Sequence, residues 1–78
     1  MKRNPISPTV AFMNEHREAF EVCIESQFID WKQGTDKDIQ TYIKLTLERF
    51  KENGITIPEN VTIWSLSRKI YDWFDQNN

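Results

Sequence analysis

Cys23 is the only thiol in this chain, so no internal disulfide can form and four-cysteine zinc sites are excluded. Histidine is as scarce, with His16 alone. One His, one Cys and scattered carboxylates do not converge as metal ligands must, so neither a metal nor another cofactor is expected. The two glycines, Gly34 and Gly54, both fall where helices would stop, which leaves no glycine-rich loop to cradle a phosphate. No stretch approaches the roughly 20 apolar residues of a membrane span. The opening MKRNPISPTV has basic residues without an apolar run behind them, and does not read as a secretory signal. Charge of one sign is missing too. Ten Lys and Arg against twelve Asp and Glu leave a net charge of -2, which argues against a general nucleic-acid or membrane-surface binder. The expected setting is a reducing cytoplasm, with no membrane and no small-molecule substrate.

What is present is bulky. Apolar residues make up 38% of the 78, and aromatics 13%, so a single domain must build its core from few large side chains. Burying one of these gains roughly 1.5–3 kcal/mol, whereas ordering each residue costs about 1.5 kcal/mol. A balance so near zero predicts help from a partner or from self-association.

The pattern is helical throughout, and the expected fold is all-α: a small three-helix bundle or orthogonal three-helix array in one domain. Residues 1–8 carry Pro5 and Pro8 and read as an extended arm, with Ser7 or Thr9 capping the first helix. That helix is expected over about 9–33. Phe12, Met13, His16, Ala19, Phe20, Cys23, Ile24 and Trp31 share its apolar face. Glu15, Glu18, Glu21 and Glu25 form an acidic ridge on another, and Gly34 ends it as a left-handed cap.

The second helix, about 35–53, opens on Thr35-x-x-Asp38, which resembles a capping box. Its stripe is Ile39, Tyr42, Ile43, Thr46, Leu47 and Phe50, and Gly54 should fold Ile55 back onto Phe50 in a Schellman motif. The third helix is expected over about 61–76, with Ile63, Leu66, Ile70, Trp73 and Phe74 inward and Val61, Ser65, Arg68 and Lys69 outward. The stretch GITIP is too short to count as a strand.

Catalytic chemistry finds no footing. His16 falls within the apolar stripe, between Phe12 and Phe20, where it reads as a partly buried core residue and not as a general base. Cys23 lies two turns further on, about 10 Å away, too far for a thiolate–imidazole pair on one helix. It reads as a small core hydrophobe. Ser65, Ser67 and Lys69 have no spacing that aims a base at a nucleophile. No enzyme is expected.

The run from Gly54 through Arg68 and Lys69 loosely resembles a helix-turn-helix, and a DNA-binding regulator is the alternative reading. The connection is longer than that motif's turn. Asp72 and Asp75 would also face phosphates, so nucleic acid is not the expected partner. Lys2 and Arg3 could serve only as a minor-groove arm.

The leftover surface points to protein. Trp64 and Tyr71 stand two turns apart, away from Ile70 and Trp73, with Arg68 between them and within stacking reach of Trp64. Trp, Tyr and Arg are the residues that most often anchor interfaces. Val22 and Ile29 line up likewise on the first helix. The expected function is a non-enzymatic protein-binding module, acting as a homodimer or as an accessory partner of a larger protein. Trp64, Arg68 and Tyr71 would form its main contact face, Val22 and Ile29 a second, and the Glu15/Glu18/Glu21/Glu25 ridge would steer a basic partner.

Overall fold

A computed structural model describes residues 6–78. Its order is α1 (Pro8–Glu15), α2 (Arg17–Gln33), α3 (Ile39–Glu52) and α4 (Ile63–Asn77), with no strand among the described residues. The fold is all-α, but among the described residues the helices number four and not three. The expected basic arm of Lys2 and Arg3 lies outside the described residues.

The extra break falls at His16. Its dihedrals, φ -113° and ψ 31°, leave the helical well, although its N–H still donates to Phe12 O and its carbonyl accepts from Phe20 N. The apolar periodicity runs straight through the position, and no Pro or Gly marks it. Aromatic contacts surround the bend: the Phe12 ring meets His16 and Phe20 edge-on at 5.1 and 5.3 Å, and Phe20 reaches Phe50 of α3 at 3.9 Å. At the start of α1, Ser7 Oγ accepts from Val10 N, and Pro8 occupies the first helical position, inside what the sequence reads as an arm. Thr9 is not the cap. It is buried, with its Oγ1 2.6 Å from Ser65 Oγ at the start of α4.

Gly34 ends α2 in extended backbone, φ -79°, and not in the left-handed region. The reason for glycine is space: a Cβ there would meet Asp30 O at 2.9 Å and the Tyr42 hydroxyl oxygen at 3.0 Å. Lys37 completes the end of the helix, its Nζ donating to the carbonyls of Trp31 and Lys32 while its own carbonyl accepts from Trp31 Nε1. With Lys37 committed to that closure, α3 starts beyond it and the capping box does not form at Thr35. Asp38 is the N-cap of α3 and accepts from Gln40 N.

The other end of α3 closes as the sequence implies. Gly54 takes φ +79°, Ile55 N donates to Phe50 O and Gly54 N to Lys51 O, and Ile55 is buried with Phe50. α4 begins two residues later than expected, because Thr62 is its N-cap and accepts from Ser65 N. That offset reverses two assignments. Val61, expected outside, is buried at the position a hydrophobic staple uses, whereas Ile63, expected inside, is 51% exposed.

One core joins the elements. Phe20, Cys23 and Ile24 of α2, Ile43, Leu47 and Phe50 of α3, and Leu66, Ile70 and Phe74 of α4 are its buried members, joined by Phe12 of α1 and by Ile55 and Val61 of the α3–α4 connection. An aromatic cluster fixes the far end of α4, with Phe74 5.4 Å from Phe28 and 5.5 Å from Trp31. No helix among the described residues is long and apolar enough to cross a membrane.

Candidate functional site

The rotation of α4 decides which of its side chains are free. Leu66, Ile70 and Phe74 are fully buried, and Trp73 packs edge-on against Phe28 at 5.3 Å. Helical geometry then carries Trp64 and Tyr71, two turns apart, to the outer side. Trp64 is 75% exposed and Tyr71 41%. Together with Arg68 and Ser67 they form one wall of a 440 Å³ groove, whose other wall is Gln40 and Ile43 of α3. The groove is therefore an inter-helix feature. Its α3 side could not be read from the sequence, because helical periodicity assigns faces within a helix and cannot say which helices lie side by side.

Arg68 behaves differently from expectation. Its Nε lies 3.5 Å from Asp72 Oδ1, an exposed i,i+4 pair. The cation–π contact found among the described residues belongs to Lys37 over Trp31, at 5.8 Å. A carboxylate one turn on competes for the guanidinium and holds it away from the Trp64 ring. A pair so exposed adds little to stability.

Val22 and Ile29 are 69% and 46% exposed on α2, and with Glu25 and Ser26 they border a shallow 290 Å³ depression. They do not join the Trp64 groove, so the two predicted contact faces are separate. Of the acidic ridge, Glu15 closes α1, while Glu18, Glu21 and Glu25 belong to α2, beyond the bend at His16. All four are exposed, and Glu21 pairs with Arg17 at 3.3 Å. The ridge is thus interrupted by a bend and partly neutralised.

A third surface has no counterpart among the faces expected from the sequence. The α3–α4 connection, with Ile55, Ile57, Pro58 and Ile63, shapes a 550 Å³ groove whose one charged lining residue is Lys51. Ile63 would have been the signal for it, had the start of α4 been placed at Thr62.

The groups singled out for chemistry sit in packing roles. His16 is half-buried between the rings of Phe12 and Phe20. Cys23 is buried, and Asn53 Nδ2 lies 3.6 Å from its Sγ. Desolvation pushes the Cys23 thiol above its ordinary value; Arg49 opposes this and Glu52 adds to it. Burial therefore favours the un-ionised thiol. Among the described residues no three His, Cys, Asp or Glu side chains gather as metal ligands would.

Compared with known proteins, the chain matches no family model, no curated protein and no solved structure.

Proposed function

We propose that this chain is a non-enzymatic protein-binding module whose main contact face is the Trp64/Arg68/Tyr71 wall of the groove between α3 and α4. The single observation carrying this reading is the state of Trp64. It is 75% exposed beside a groove, although Trp73 and Phe74 of the same helix are packed into an aromatic cluster. A large aromatic side chain gains most from leaving water, and a Trp that the fold leaves outside is a ready anchor for a partner. Arg68 supplies a polar clamp next to it, and Gln40 adds amide donors and an acceptor across the groove. Val22 and Ile29 make a second face, and the exposed Glu15, Glu18 and Glu25 orient a partner with basic character. The partner is a protein, either another copy of this chain or a larger target in the cytoplasm.

Quantitative capture from the native host tests the reading, comparing the natural chain with a Trp64→Ala, Tyr71→Ala double variant. A protein retained by the first and lost by the second, with folding unchanged, supports it. An unchanged captured set, or a double variant that loses several kcal/mol of folding stability, contradicts it. The rival DNA-binding reading would instead need duplex affinity that depends on Arg68 and Lys69 and falls steeply with salt.

A further inference from the structure

Two surfaces outside the Trp64 groove differ in kind and match in chemistry. The outer face of α2 is exposed and only shallowly dented, and it reads apolar, acid, apolar: Val22, Glu25 and Ile29, at helical spacing i, i+3 and i+7. The groove at the α3–α4 connection is concave and largely apolar, built on Ile57, Pro58 and Ile63, with Lys51 as its one charged lining residue. The ion pairs among the described residues are Arg17–Glu21, Arg49–Glu52 and Arg68–Asp72, so neither Glu25 nor Lys51 is in one.

We propose that the α2 face of one copy seats in the Lys51/Ile63 groove of a second copy, with Val22 and Ile29 against Ile57 and Ile63 and with Glu25 meeting Lys51. This is a helix laid into an apolar groove, a recurrent recognition geometry. Charge selects the arrangement. Two α2 faces brought together would set Glu25 against Glu25, with Glu18 and Glu21 close by, and two grooves would set Lys51 against Lys51. Face-to-groove pairing sets Glu25 against Lys51, opposite charges that neither like-with-like pairing brings together. Because face and groove are different surfaces, the contact is heterologous, and it repeats from copy to copy until a ring closes or a chain grows. The proposal rests on reading Val22 and Ile29 as a contact surface and is independent of the Trp64 groove.

Sedimentation velocity on the full chain, with circular dichroism to confirm folding, tests it. Val22→Asp removes the face and Ile63→Asp removes the groove. Both residues are exposed, and an aspartate in the first turn of α4 suits that helix end. The natural chain should exceed its 9.4 kDa monomer mass as concentration rises towards about 1 mM. Each variant alone should associate at least tenfold more weakly. Their equimolar mixture should form a 1:1 pair and nothing larger, because one intact face meets one intact groove. Carrying Glu25→Lys and Lys51→Glu in the same chain should restore association that either change alone removes. A natural chain that stays monomeric throughout, a variant that associates like the natural chain, or a mixture that stays monomeric would each overturn the proposal. Trp64→Ala with Tyr71→Ala should leave self-association intact, and its loss in that variant would move the contact to the other groove and likewise overturn it.

Discussion

Thr9 Oγ1 lies 2.6 Å from Ser65 Oγ and joins the first turn of α1 to the first turn of α4 across most of the sequence. Ser65 is itself held by the start of its helix, its N–H donating to Thr62 Oγ1 and its hydroxyl lying 3.2 Å from Thr62 O. Thr9→Val keeps the shape and removes the hydroxyl, and should cost about 0.5–1.5 kcal/mol in urea unfolding. Ser65→Ala alone should cost a similar amount, and the double variant less than the sum, because the two groups share one hydrogen bond.

The two glycines should respond differently to the same test. Gly54 has open space around it but φ +79°, so Gly54→Ala should lose roughly 1 kcal/mol and Gly54→Asn, which tolerates that backbone, should lose less. Gly34 has ordinary backbone but no room beside Asp30 O, so asparagine should be no better there than alanine. Thermal unfolding of the four variants separates a conformational requirement from a steric one.

Phe50 is fully buried, packs edge-on against Phe20, and accepts the Schellman bond that folds Ile55 back. Phe50→Ala should cost about 3–5 kcal/mol. A domain of this size holds little more than that in total, so the variant should be largely unfolded at room temperature by circular dichroism.

Cys23 gives a pH-dependent prediction. Its thiol ionises at higher pH in the folded chain than in the unfolded one, where the ordinary value of 9.0 applies. Above that value the unfolded chain releases the proton more readily, so stability falls as pH rises. Cys23→Ala should flatten this part of the stability–pH profile. The same burial predicts that alkylation of Cys23 is slow until denaturant is added.

Helical class, the end of α3 and most of the core were legible because they depend on local signals: apolar spacing, and a glycine followed by an isoleucine. The stripe of α3 and the trio Leu66, Ile70 and Phe74 come from periodicity alone. What escaped was set by contacts distant in sequence. His16 has no breaker beside it, so the bend that separates α1 from α2 left no mark. Thr35 and Asp38 both suit an N-cap, and the choice between them was made by Lys37 turning back to close α2. At α4 the N-cap is Thr62, which moved the start by two residues and exchanged Val61 with Ile63. The outward direction of Trp64 and Tyr71 was legible from their spacing, whereas Gln40 and Ile43 across the groove were not.

Site-specific photocrosslinking in the native host tests the central claim most directly, with a benzophenone amino acid in place of Trp64 and, as control, in place of the exposed Glu48. The account predicts a discrete crosslinked protein from position 64 that is absent from position 48 and is suppressed by Tyr71→Ala. Crosslinking at position 64 no stronger than at position 48 would contradict it.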